Sequence, residues 1–119
     1  MSTEVFHSQS AGLPRPAEGT LVSRTGTDDW QDSGSDGFLV KPLHEDAATG
    51  RRTWLMKVDP GAWSPPHAHD EFEEIYVIDG SFYDGENTYH AGDFAIRAPG
   101  AMHEAGSKTG ATVLLVYSR

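Results

Sequence analysis

The sequence predicts an all-β domain, an antiparallel sandwich or barrel, on three observations. From Phe38 onward, short apolar stretches alternate with clusters of Gly, Pro, Asp and Asn, which are the usual signals of turns between strands. Residues 75–78 are all apolar or aromatic, as in a strand that is covered on both faces. The sequence shows no helical stripe, no heptad and no repeat. A chain of 119 residues is long enough for one domain with a core, and too short for two.

The first third of the chain is polar and irregular. Residues 1–20 contain two prolines and show no sustained period, so we expect an N-terminal arm, followed by one domain over residues 21–119. Three short features are predicted next: an edge strand at 21–25, a turn at 27–30 that docks Trp30 on the barrel or on a second subunit, and a loop at 32–37.

The remaining strands follow one another at short, regular intervals. In the second of them, Trp54, Met56 and Val58 share one face because side chains alternate along a strand. Pro42 lacks an amide hydrogen and so ends the first strand or places it at an edge. The predicted strands are 38–43, 51–58, 73–79, 81–84, 87–94 and 112–117. The predicted turns are 46–50, 59–62, 79–80, the hairpin around Gly85, and a type II turn at 99–100.

Three histidines and one glutamate form a candidate metal site. His67, His69 and Glu73 are spaced by two and four residues, and His103 follows a Pro-Gly turn. Imidazole and carboxylate are ligands that zinc, iron, nickel and copper all accept. On a strand, even spacing places side chains on the same face, so the pattern predicts a metal site on the inner face of a barrel.

Glu74 is the alternative carboxylate. Its odd spacing from His67 and His69 would turn it away from them, so we assign Glu73 as the ligand and Glu74 as a solvated or interface charge.

These residues carry a resemblance to the cupins. The first cupin motif, Gly-x5-His-x-His-x3/4-Glu-x6-Gly, is matched at every position, and the second, Gly-x5-Pro-x-Gly-x2-His-x3-Asn, is matched except at Ala98 and Ser107. The matching residues are Gly61, His67, His69, Glu73, Gly80, Gly92, Gly100 and His103. The resemblance covers residues 38–117 and implies a jelly-roll barrel, also called a double-stranded β-helix.

Within the cupins, the stretches around Lys41, residues 54–61, residues 73–82 and Gly92 look most like two groups. One group is the dioxygenases that cleave acetylacetone or dihydroxyacetophenone, and the other is the cupin domain of some zinc-binding anti-sigma factors. The resemblance implies one divalent ion per chain, Fe²⁺ or Zn²⁺ first, with Ni²⁺, Cu²⁺ or Mn²⁺ as alternatives.

Composition excludes several classes of partner and site. Acidic residues outnumber basic ones by 18 to 9, and the resulting formal charge of −9 argues against binding to nucleic acid. The chain contains no cysteine, which excludes a disulfide, a thiolate ligand or a redox thiol. It also has no apolar run as long as a membrane span and no secretory signal at its start, so we expect a soluble cytoplasmic protein with no membrane partner.

The first functional hypothesis is a metal-dependent oxygenase that cleaves a carbon–carbon bond in a small oxygenated substrate such as a diketone or hydroxy-ketone. His67, His69 and His103 would hold the ion, and Glu73 would be a fourth ligand or a catalytic base. Predicted substrate contacts are the apolar Trp54, Met56 and Phe82 and the polar Tyr83 and Arg97. The acetylacetone-cleaving dioxygenases use three histidines, so Glu73 is a departure from their pattern.

Two other functions fit the same ligands. A non-catalytic zinc or ligand sensor would match the anti-sigma cupins, although this chain lacks the zinc-binding helical domain that contacts the sigma factor. A metal-dependent isomerase is the third hypothesis. Finally, Tyr76 and Ile78 point outward in the predicted strand, and covering them predicts a homodimer.

Overall fold

Nine strands and no helix make up the part of the chain that the computed structural model describes, residues 4–24, 26 and 29–119. Every pairing between these strands is antiparallel. The strands are β1 Gln31–Asp32, β2 Phe38–Glu45, β3 Arg52–Val58, β4 Trp63–His67, β5 Phe72–Tyr83, β6 Thr88–His90, β7 Phe94–Arg97, β8 His103–Gly106 and β9 Ala111–Ser118. Among the described residues, no helix is long and apolar enough to cross a membrane.

The strands form one curled sheet in the order β1-β2-β3-β9-β5-β8-β4, with β6 and β7 also paired to β5. β5 belongs to both halves of the sheet: its first half pairs with β7 and β9, and its second half pairs with β6 and β8. This curled sheet of short antiparallel strands, in which strands distant in sequence are neighbours, confirms the predicted all-β jelly-roll fold.

A bulge between Val77 and Asp79 lets β5 change from one half of the sheet to the other. Gly80 follows the bulge with a φ of 78°. A Cβ atom there would lie 2.0 Å from the carbonyl oxygen of Gly110, so no larger residue fits without a backbone shift. The predicted turn at 79–80 is therefore wrong. The Asp-Gly pair bends a continuous strand, because the residues before it pair with β9 and the residues after it pair with β6.

The alternation predicted for residues 51–58 is confirmed. Trp54, Met56 and Val58 are buried in β3, while the residues between them are partly or fully exposed. They join one apolar core with the inward side chains of the other long strands, chiefly Phe38, Val40, Ile75, Val77, Phe82, Val113, Leu115 and Tyr117. This core fills the barrel below the histidines.

Other predictions were partly wrong. Residues 21–24, the described part of the predicted edge strand 21–25, form no strand, and Leu21 and Val22 lie exposed. The predicted turn at 27–30 lies partly outside the described residues, but Trp30 does pack on the barrel, under the ammonium group of Lys41. The predicted strand 87–94 is divided by a turn into β6 and β7.

The type II turn predicted at 99–100 is confirmed. The amide of Ala101 donates to the carbonyl of Ala98 at 3.1 Å, and Gly100 has the positive φ of 84° that this turn requires at its third position. The turn places His103 at the start of β8.

The N-terminal arm lies against the barrel. Phe6 is 5% exposed and belongs to the core. Leu13 bridges to His44 of β2, with hydrogen bonds of 2.9 Å to the Leu43 carbonyl and 3.1 Å from the Glu45 amide. The arm thereby continues the sheet along the part of β2 that β1 does not reach.

Candidate metal centre

Three buried histidines meet at one end of the barrel. His67 is the last residue of β4, His69 lies in the loop that leads to β5, and His103 is the first residue of β8. His67 and His103 are direct neighbours across the β4–β8 pair. The ring centroids lie 4.5 Å apart for His67 and His103, 5.2 Å for His67 and His69, and 5.5 Å for His69 and His103. One ring nitrogen of each lies within 4.8 Å of the others.

The even spacing of His67, His69 and Glu73 predicted a common strand, and this is wrong. The three residues lie on β4, in the following loop and on β5. They meet because the short loop folds the chain back between two strands of the same barrel. The parity argument does hold within β5, where Glu73 is buried and Glu74, on the opposite face, is partly exposed.

The Nδ1 atom of each histidine faces an oxygen. It lies 2.9 Å from the Pro65 carbonyl in His67 and 3.2 Å from the Ala101 carbonyl in His103. In His69 it lies 3.3 Å from a carboxylate oxygen of Glu4. An imidazole whose Nδ1 carries the proton leaves its Nε2 lone pair free for a metal.

The three residues fit a divalent ion. The Nε2 atom of His67 is buried and has no hydrogen-bond partner among the described residues, and neither ring nitrogen of His69 makes a hydrogen bond of good geometry to the carboxylates beside it. Buried polar atoms without a partner are rare in folded proteins, and at such a place they indicate a site for a ligand or an ion. Three converging imidazoles are a ligand set that zinc, iron, nickel and copper accept, and the residues therefore support the predicted metal site.

Glu73 stands between the histidines and Arg97. One of its oxygens lies 3.3 Å from Nε2 of His69, and the other lies 3.5 Å from Nε2 of His103. This second oxygen also accepts a 2.9 Å hydrogen bond from Nε of Arg97. The compact group of donor atoms consists of the three histidines, so Glu73 as a fourth ligand stays a prediction.

A buried ionic network extends from Glu73 away from the histidines. Nη1 of Arg97 donates to Asp84 at 2.7 Å, and the same Asp84 oxygen accepts a 2.5 Å hydrogen bond from the Tyr89 hydroxyl. The second oxygen of Asp84 accepts the amides of Glu86 and Asn87. Arg97 thus holds two carboxylates and is itself only 11% exposed at its side chain.

The pKa values follow from burial and from these contacts. Burial opposes the charge of Glu73, but the neighbouring His69, His103 and Arg97 outweigh it and lower its pKa to about 2. Burial also opposes the charge of His69, yet Glu4 and Glu73 on either side raise its pKa to about 9. Burial dominates at His103, where the pKa falls to about 4, and it lowers the pKa of His67 as well.

The structure separates the predicted substrate contacts. Trp54 is buried beside Tyr117 and donates its indole hydrogen to Glu45 at 2.8 Å. Met56 and Phe82 lie within the core. Tyr83 packs over Gly106 and lines a surface depression with Lys108, away from the histidines. Of the five, Arg97 reaches the centre, through Glu73.

Three residues near the centre were missed by sequence reasoning. The ring of Tyr117 lies 5.1 Å from that of His69, and burial beside Glu73 raises the pKa of its hydroxyl well above the ordinary value. Its parity with Val113 and Leu115 in β9 was a usable signal. Glu4, in a polar arm, and Asp84, beside a turn, gave no signal, because only the fold brings them to the site.

Comparison with known proteins agrees with this geometry. The profile of the ChrR cupin-like domain matches residues 18–119. None of the curated proteins matches the sequence significantly.

Among solved structures, the chain is similar to an acetylacetone dioxygenase from Acinetobacter johnsonii, with a TM-score of 0.76, 16% identity, and coverage of 87% of this chain and 77% of that one. It is similar to a chain in the complex of SigE with the anti-sigma ChrR from Rhodobacter sphaeroides, with a TM-score of 0.65, 22% identity, and coverage of 80% and 52%. It is also similar to a cupin-like protein of unknown function from Ralstonia eutropha, with a TM-score of 0.64, 23% identity, and coverage of 70% of this chain and 56% of that one. The chain therefore spans little more than half the length of the last two.

Proposed function

The chain belongs to the ChrR cupin-like family, and on that premise we propose that it is a metal-dependent oxygenase acting on a small oxygenated substrate such as a diketone or hydroxy-ketone. The observation that carries this proposal is the convergence of three buried imidazoles, each with one ring nitrogen within 4.8 Å of the others. Three protein ligands leave open positions on the ion, which a catalytic site needs and a closed structural site does not have.

Each residue of the centre has a role in this proposal. His67, His69 and His103 hold the ion, which when bound supplies Lewis acidity toward an enolate or hydroxy-ketone and, as iron, reactivity toward dioxygen. Glu73 accepts a proton from the substrate or acts as a fourth donor through the oxygen that faces His69. Arg97 acts with His69 and His103 to keep Glu73 ionised, and it limits the rotation of Glu73 because it binds the other oxygen.

Two measurements test the oxygenase. Elemental analysis of protein purified without chelators and without oxygen should find iron near one per chain. Oxygen uptake should then depend on both ferrous iron and an added diketone or hydroxy-ketone. Iron-loaded protein that consumes no oxygen with any such compound would contradict the proposal.

A sensor is the second candidate, and the family match favours it. One chain similar to this one comes from a complex that contains an anti-sigma factor. In that case the centre would bind zinc tightly, show no turnover, and lose stability on chelation.

We keep the cytoplasm as the proposed compartment, since a chain without cysteine needs no oxidising surroundings.

Glu73 and Glu74 provide a matched pair for testing the carboxylate. Replacing Glu73 with alanine is expected to lower metal affinity roughly 10–100-fold, the range seen when a residue that supports a metal site is lost. Glu74→Ala should leave affinity unchanged, because Glu74 lies on the other face of β5. Calorimetric titration of both variants measures the effect, and the reverse result would show that the assignment of the carboxylate is wrong.

We further propose that the protein is a homodimer. The outer face of β5 and β7 exposes neighbouring apolar side chains: Tyr76 pairs with Phe94 across the two strands, and Ile96 lies beside them. Phe94 and Ile96 are 55% and 60% exposed. A contiguous apolar patch on a sheet suits a two-fold interface in which the same surface meets itself.

Replacing Ile96 with glutamate should convert the dimer to a monomer, because it would place a charge in the centre of this patch. Val22→Glu is the matched control, since Val22 is equally exposed in another part of the chain. Sedimentation velocity at micromolar concentration distinguishes the two states. A native protein that sediments as a monomer would remove the proposal.

A further inference from the structure

We propose that residues 4–8, here called the arm cap, close the metal centre, with Phe6 covering His67 and Glu4 supporting His69. A small ligand would then reach the ion only when the cap lifts. This inference deepens the proposed metal site and rests on it. Its observations are the contacts that the arm makes with the two histidines and with the rim of the barrel.

Phe6 is the side chain that covers the centre. Its ring lies 5.8 Å from that of His67, edge to face, and 4.8 Å from that of Phe38 in the core. It is 5% exposed, whereas its neighbours Val5 and His7 are half-buried and exposed. Phe6 therefore joins the core at the end of the barrel where the histidines lie.

Glu4 gives the arm a polar contact with the centre. Its carboxylate lies 3.3 Å from Nδ1 of His69. The other two histidines face carbonyl groups of residues two positions earlier in the chain, Pro65 and Ala101. His69 thus differs from them in that its Nδ1 faces a side chain from a segment more than sixty residues away. A carboxylate at this position fixes the ring and makes it a better ligand, so Glu4 is a positioning residue.

Few contacts hold the cap, and this makes reversible opening reasonable. The amide of His7 donates to the Ser33 carbonyl at 2.8 Å. The Ser35 hydroxyl donates to the Val5 carbonyl at 2.5 Å, and the Ser8 hydroxyl donates to Glu45 at 2.8 Å. The cap is also attached through the ring of Phe6, the packing of Val5 against the core and the contact of Glu4 with His69. A segment with so few anchors can open locally while the strands beneath it stay folded.

Acylation of the histidines by diethyl pyrocarbonate, carried out on metal-free protein, tests whether the arm cap limits access to the centre. Peptide mass spectrometry would follow His67 and His103, with the exposed His90 as a reference inside the same molecule. In the native protein we expect both to react at least about tenfold more slowly than His90, because they react only in the open state. Phe6→Ala should raise the rate at His67 by about the same factor, and Val22→Ala, at an exposed position, should not.

A second variant tests whether faster acylation of His67 comes from opening of the cap or from unfolding of the protein. Ser8→Ala removes one anchor without touching the core, and it should raise the rate at His67 by a smaller factor while the thermal transition stays unchanged. Equal rates at His67 and His90 in the native protein would overturn the inference. So would a Phe6→Ala protein that is folded and reacts at the native rate.

Glu4 is tested separately on the metal-loaded protein. Glu4→Gln should weaken metal affinity roughly 10–100-fold and shift the visible bands of the cobalt-substituted protein, and Glu4→Asp should recover part of both. Glu18→Gln removes the same charge elsewhere in the arm and should change neither. If the native protein binds no metal at all, the proposed function fails, whereas the acylation result still decides whether the cap exists.

Discussion

Replacing His103 with alanine is expected to abolish metal binding under conditions that saturate the native protein. The three imidazoles meet with their donor atoms within 4.8 Å, and each arrives from a different element. Among the described residues, no other histidine belongs to this group, so none can take the place of one that is removed. Loss of a direct ligand should therefore exceed the roughly 10–100-fold that loss of a supporting residue costs. Competition with a chelator of known affinity measures the change.

His90→Ala is the matched control for this experiment. His90 is an exposed imidazole at the end of β6, so its loss removes one histidine without touching the centre. We expect its metal content and affinity to equal those of the native protein. Full binding by the His103→Ala variant would mean that the ion is held elsewhere, and the three-histidine centre would then have to be abandoned.

Replacing Arg97 with methionine is expected to lower the free energy of unfolding of the metal-free protein by about 3–5 kcal/mol, the usual cost of removing one member of a buried ion pair. The guanidinium group binds Glu73 and Asp84, which are both 5% exposed. Without it, two buried carboxylates would lose the cation that they share. Such a loss is a large part of the total stability of an ordinary domain. Urea unfolding measures it, with Arg51→Met, at an exposed site, as the control.

The difference in free energy of unfolding between the native protein and Arg97→Met should depend on pH, and this provides an independent check of the ion pair. Glu73 has a folded pKa of about 2 against an ordinary value of 4.5. A carboxylate with a lowered folded pKa stabilises the protein above its unfolded pKa, and this contribution disappears as the pH falls through the folded pKa. His69, His103 and Arg97 together lower this pKa, so the part due to Arg97, and with it the gap between the native protein and Arg97→Met, should be complete above pH 4.5 and shrink toward pH 2. A gap that stays constant over this range would show that the ion pair is not its cause.

The parts of the fold that could be read from the sequence are those with a local cause. The alternation in β3 depends on side-chain direction along one strand, and the turn at residues 98–101 depends on a glycine with positive φ. The Asp79–Gly80 pair misled the prediction because the same two residues suit a hairpin turn and a bulge. Which of the two forms depends on the partners that the flanking residues find across the sheet.

The candidate site shows the same division. Residue types and spacing identified His67, His69 and His103, since imidazoles at motif spacing are recognisable one by one. They did not reveal that His69 lies in a loop, because parity applies only within a continuous strand. Arg97 was expected to contact a substrate, whereas the structure shows it paired with Glu73 and Asp84.

The sequence by itself determined the fold family and the three histidines of the candidate centre, because both depend on residue types and spacings within short segments of the chain. Only the tertiary structure decided what surrounds those histidines. It brings Glu4 to His69 across more than sixty residues, and it joins Glu73, Arg97 and Asp84 from β5, β7 and the turn after β5. Such contacts depend on strand register and on the path of the arm, and no spacing along the chain encodes them.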